Sequence, residues 1–118
     1  MLVLNHKKLE VYSKILELVT LVYKITSSFP RSETFGLTSQ MQRASVSVMS
    51  NLAEGASRKS AVERKRFFEI SRSSLVELDS QFEISERLGL SKEIDKDKLS
   101  SLLNSVFAQL SNLIKNTK

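Results

Sequence analysis

The chain has no cysteine and no tryptophan, a single histidine, one proline and three glycines in 118 residues. Without cysteine, disulfides, thiolate metal sites and thiol nucleophiles are excluded, which fits a cytoplasmic location. His6 alone cannot supply the paired Glu-x-x-His motifs of a di-iron bundle within one subunit. Neither a phosphate-cradling glycine loop nor a nucleophile elbow is present. The longest apolar region, around "LELVTLVYKI", is broken by Glu17 and Lys24 and is too short for a membrane span. The start "MLVLNHKK" lacks the basic-then-apolar pattern of a secretory signal. These absences predict a non-enzymatic protein that needs no metal or cofactor and has no membrane partner.

What is present is helical periodicity. The few helix breakers divide the chain into four segments, about 8–28, 36–55, 60–88 and 95–116. In the first, Leu9, Tyr12, Ile15, Leu16, Val19, Val22 and Tyr23 recur at spacings of three and four, and Phe29-Pro30 ends the run. The second is expected to close at Gly55 as a left-handed cap. "SAVE", Ser60 to Glu63, fits a capping box for the third, which turns Phe67, Phe68, Leu75, Leu78 and Phe82 inward and stops at Gly89. Leu99, Leu102, Val106, Leu110 and Leu113 form the apolar face of the fourth, which starts near Asp95. Short connections favour antiparallel neighbours, so residues 1–118 are predicted to form one all-α domain, an up-down-up-down four-helix bundle.

Three surfaces depart from an ordinary bundle. Between Gln40 and Gly55 the only charges are Arg43 and Glu54. On a helical projection Gln40, Arg43, Ser47, Asn51 and Glu54 fall within an arc of about 80°. Such a stripe suits a polar network inside the bundle or between subunits; a weakly charged solvent face and a ligand site are the other two readings. The third helix begins among Arg58, Lys59, Arg64, Lys65, Arg66 and Arg72 and ends among Glu77, Asp79, Glu83 and Glu86. That polarity opposes the helix dipole by a few tenths to about 1 kcal/mol per well-placed charge. Either a patch facing phosphates or pairing between subunits accounts for it, with plain surface charge as the third reading. Asp79, Glu83 and Glu86 share a flank at metal-ligand spacing, but a solvated acidic face is the expected arrangement. Finally, Leu99 to Ile114 contains no charged residue, which suits either a subunit contact or a poorly charged exposed face. The whole chain carries +5, from 18 Lys and Arg against 13 Asp and Glu, which is compatible with an anionic partner.

The segment "FPRSETFGLTSQMQRASVSVMSNLAEGASRKS" followed by "FFEISRSSLVELDS" resembles the four-helix-bundle proteins encoded within intervening sequences of bacterial 23S ribosomal RNA genes. The accessory variability protein of diversity-generating retroelements belongs to the same broad group. Phe-Pro, Gln-x-x-Arg-Ala, Ser-x-x-x-Asn-x-Ala-Glu-Gly and Ser-x-x-Glu-Leu carry the likeness, which spans essentially the whole chain. The resemblance implies an antiparallel bundle assembled as a homopentamer, with Arg43, Asn51 and Glu54 at recurrent polar positions. It makes Glu77 a candidate partner for Arg43 or for a helix-end amide. It also implies RNA or DNA as a candidate partner, contacted through Arg58, Lys59, Arg64, Lys65, Arg66 and Arg72, by analogy with the retroelement relatives. The alternative is a structural or protein-interaction module that binds no nucleic acid. Two positions depart from the family pattern: Tyr12 where tryptophan is frequent, and Ser73 where glycine is, at an expected close helix contact.

Overall fold

The computed structural model describes residues 1–91 and 95–118. Four helices carry the fold: α1 (Glu10–Thr26), α2 (Leu37–Ala56), α3 (Ala61–Arg87) and α4 (Lys96–Asn116). Short 3-10 turns at Asn5–Lys8 and Arg31–Glu33 precede α1 and α2, and no strand occurs among the described residues. Local chemistry sets several of the ends. The Ser60 hydroxyl accepts the Glu63 amide at 3.3 Å, and the Asp95 carboxylate accepts the Lys98 amide at 3.0 Å. Glu33 reaches forward to accept the Leu37 amide at 3.3 Å, because Gly36 offers no side chain to cap α2.

Cross-helix contacts give the directions. Ser47 of α2 meets Ser74 of α3, Val48 meets Ser71, and Gly55 meets Phe67 and Phe68, so the two helices run in opposite senses. Gln42 of α2 donates to Thr26 at the end of α1, while Tyr12 near its start borders Met49 and Ala53. Arg72 of α3 reaches Ser111 of α4, and Glu86 reaches Lys96. Leu9 to Val11 lie beside Gln109 to Asn116, which closes α4 against α1. Each helix therefore packs on its sequence neighbours, with α1 and α4 completing the square.

The core is one cluster in which Ile15, Leu18, Val22, Met41, Val48, Leu52, Leu78, Val106 and Leu110 are fully enclosed. In α1 the buried stripe is Val11, Ile15, Leu18, Val22 and Ile25. This corrects the sequence expectation: Leu9, Leu16 and Tyr23 are exposed, and Tyr12 and Val19 only partly covered. The helix carries two apolar stripes whose centres lie about 140° apart, and periodicity alone does not say which one faces inward. In α3 Phe67 is half-buried while Phe68, Leu75, Leu78 and Phe82 are interior. In α4 Leu103 and Ile114 join the buried face, with Leu113 at its edge.

Gly55 is a second correction. It does not terminate α2 in a left-handed conformation; the only positive φ among the described residues is at Gly89, 72°, just after α3. Gly55 sits inside the last turn of α2, buried, where a Cβ would lie 2.8 Å from the Phe68 ring and 2.9 Å from Phe67 Cβ. Its function is close approach of two helices. Ser73, expected at such a contact, is exposed instead. Gly55→Ala should therefore cost about 1–3 kcal/mol by overpacking, seen as a lowered thermal midpoint; an unchanged midpoint would show that α3 yields at no cost.

Candidate nucleic-acid interface

Part of the low charge of α2 is explained by what covers it. α3 packs along it more extensively than any other pair of helices packs together. Small residues permit this closeness: Ala44, Ser45 and Gly55 are buried on the α2 side, and Ser71 on the α3 side. The Ser71 hydroxyl donates to the Val48 carbonyl at 2.6 Å, and Ser45 satisfies itself on the Gln42 carbonyl at 2.8 Å. On the outer flank of the seam Ser47 and Ser74 share a hydrogen bond of 2.8 Å. The Asn51 amide donates to the Ser47 carbonyl at 2.9 Å and to its hydroxyl at 3.0 Å. Half-buried polar groups thus find partners rather than incurring a desolvation cost of about 1–3 kcal/mol each.

The stripe is not one network. Glu54 binds Arg58 at 2.6 Å one turn further on. Gln40, Arg43 and Glu77 are exposed, and the pairing of Arg43 with Glu77 that the sequence suggested is not among the ion pairs of the described residues.

The six basic candidates divide into two groups of three. Arg58 folds back over the Phe67 ring, 4.9 Å from its centroid, while holding Glu54. Its Nε–H is enclosed with no partner among the described residues. Arg64 turns back over the α2–α3 turn and donates to the carbonyls of Arg58 and Lys59. Arg72 crosses to α4, donating to the Ser111 hydroxyl at 3.1 Å with its guanidinium 5.8 Å from the Phe107 centroid. These three arginines tie the turn and α3 to the rest of the fold. Lys59, Lys65 and Arg66 instead stand exposed and have no ion pair among the described residues.

On the far half of α3 Glu86 is engaged by Lys96 at 2.6 Å. Among the described residues no group of His, Asp or Glu is arranged to hold a metal ion. Leu75, Val76, Asp79, Ser100, Leu103, Asn104 and Phe107 line an open groove between α3 and α4.

The family profile of the 23S rRNA-intervening sequence protein matches residues 7–112. The chain belongs to that family. No curated protein matches it. The matched region of this 23S rRNA-intervening sequence protein runs from the turn before α1 almost to the end of α4 and takes in the seam, the capping serine and all six basic candidates.

The buried serines Ser71, Ser45 and Ser85 were not among the core positions expected from the sequence. Their phase with Leu75, Val48 and Leu78 was the available signal. No helix among the described residues is long and apolar enough to cross a membrane. Two kinds of substitution should separate the structural from the free polar groups. Ser71→Ala should lower unfolding free energy by about 1 kcal/mol, whereas Lys65→Gln or Arg66→Gln should leave it within about 0.5 kcal/mol, measured by urea titration.

Proposed function

We propose that this protein is a non-catalytic, oligomeric accessory factor that binds RNA or DNA phosphates in the cytoplasm through Lys59, Lys65 and Arg66. The observation that carries this reading is their availability. They are exposed, free of ion pairs among the described residues, and gathered where α3 starts, a position at which the helix dipole disfavours cations. Arg58, Arg64 and Arg72 act behind them, holding the turn in place while adding to the local positive potential. Phosphate contact of this kind positions a nucleic acid without reading its bases.

Assembly into a homo-oligomer, of five copies on the family pattern, is supported by α1. Leu9, Leu16 and Tyr23 recur every seven residues and stay exposed, and Val46 of α2 adds to the uncovered apolar surface. A seven-residue apolar repeat on a helix surface suits packing against another helix.

The competing reading is a structural module in which the basic half of α3 pairs with the acidic half of a neighbouring copy. Fluorescence anisotropy against structured ribosomal RNA and duplex DNA across a salt series, with native mass in the same buffers, separates the two. The parent should bind with a log-log salt slope of several units, and the double substitution K65Q/R66Q should reduce that slope by about two at unchanged native mass. Absence of binding at low salt, with K65Q/R66Q shifting the mass toward monomer, would establish the competing reading instead.

A further inference from the structure

The antiparallel fold brings three segments that are distant in sequence to the same end of the bundle. Residues 2–7 share a groove with Met49, Ala53 and Ser57 in the last turns of α2. Residues 9–11 border Gln109, Asn112 and Asn116 at the end of α4. Arg72 reaches Ser111 from the first half of α3. The beginning of α1, the α2–α3 turn with the start of α3, and the end of α4 therefore lie together.

Charge follows this convergence. Segments 7–14, 54–72 and 115–118 hold eleven of the eighteen Lys and Arg, and only four acids, Glu10, Glu54, Glu63 and Glu69. The end carries an excess of seven positive charges in a chain of net +5, so the rest of the molecule is net negative by two. Lys8, Lys115 and Lys118 are exposed and unpaired among the described residues, and Lys7 donates to the Leu2 carbonyl at 2.6 Å. Lys115 alone would be ordinary, because it completes the dipole of α4. Lys8, Lys65 and Arg66 have no such local reason to be there.

The aromatic rings narrow the ligand. At this end Phe67 lies beneath Arg58, and Tyr12 is half-buried with its ring edge-on to His6 at 5.5 Å. Of the exposed aromatics, Tyr23 at the end of α1 and Phe35 in the α1–α2 connection lie at the other end, and Phe107, midway along α4, has the Arg72 guanidinium 5.8 Å from its centroid. Single strands are usually held by stacking bases on aromatic side chains, and the rings on this surface are already engaged by Arg58, Arg72 and His6. The cross-section of the molecule, 26 × 24 Å, spans about 14 phosphates of a duplex at one charge per ~1.7 Å of axis.

We propose that the whole basic end of the bundle, with Lys7, Lys8, Lys115 and Lys118 beside Lys59, Lys65 and Arg66, docks the phosphate backbone of a double-helical nucleic acid. This rests on the nucleic-acid reading above and extends it to a ligand class and to two further chain segments. The test uses the full chain, an RNA duplex and an unstructured RNA strand of equal length, and anisotropy across a salt series. The parent should bind the duplex about 10-fold or more tightly than the strand. The substitution K7Q/K8Q/K115Q/K118Q should lower the log-log slope by about three to four, and K24Q/K98Q outside the basic segments should leave it unchanged. Loss of slope in K65Q/R66Q but not in the quadruple variant would overturn the extended surface while leaving α3 as the binding element. A preference for the single strand would overturn the duplex assignment, and equal losses in K24Q/K98Q would reduce the effect to net charge. No binding by the parent would remove the nucleic-acid reading itself, and this proposal with it.

Discussion

The close approach of α2 and α3 is the constraint on which the other features depend. Gly55 leaves room for Phe67 and Phe68, and Ala44 and Ser45 keep the buried face of α2 shallow. Two cross-helix hydroxyl bonds, from Ser71 to Val48 and between Ser47 and Ser74, fix the register along the seam. Backbones this near leave little space for long charged side chains on the facing surfaces. The absence of charge where α2 meets α3 is therefore a packing requirement, met with serine and asparagine whose short polar groups can be satisfied locally.

The same register decides where α3 puts its charges. A helix of 27 residues is about 40 Å long, nearly the full 43 Å of the molecule, so its two halves lie at opposite ends. Its basic half joins the termini of α1 and α4, and its acidic half lies toward the α3–α4 connection. Concentrating like charge at one end works against stability, both through mutual repulsion and through the dipole of α3. Part of that cost is offset internally. Arg64 has the Arg58 and Lys59 carbonyls of the α2–α3 turn, Arg58 has Glu54 and the Phe67 ring, and Arg72 has Ser111 and Phe107. The cations left without such compensation are the ones for which an external anion is the simplest complement. Exposed pairs such as Glu54 with Arg58 contribute little energy by themselves, so positioning is their larger effect.

Helix existence, the cap at Ser60 and the start of the fourth helix near Asp95 were legible in the sequence because they depend on local periodicity and on side chains that act within one turn. Three things were not. The inward face of α1 was ambiguous because Val11, Ile15 and Leu18 compete with Leu9, Leu16 and Tyr23 on a helix that is apolar on two sides. Gly55 resembled a helix stop because a close tertiary contact leaves the same mark in a sequence as a left-handed cap. The six basic candidates looked equivalent as a cluster, yet the fold engages Arg58, Arg64 and Arg72 and leaves Lys59, Lys65 and Arg66 free. Lys7, Lys8, Lys115 and Lys118 lie too far along the chain from that cluster to be joined to it before the antiparallel connections are known.

The register of the α2–α3 seam is the most direct test of this account, and the absence of cysteine from the chain makes it clean. Ser47→Cys with Ser74→Cys replaces two hydroxyls that lie 2.8 Å apart. Mild oxidation of dilute protein should close an intramolecular disulfide rapidly and nearly completely, read as a shift on non-reducing electrophoresis. Ser47→Cys with Gln81→Cys, displaced by two helical turns or about 10 Å, should remain reduced. Free thiols in the first pair and a cross-link in the second would mean that α3 is shifted along α2, and the convergence of basic residues at one end would no longer follow.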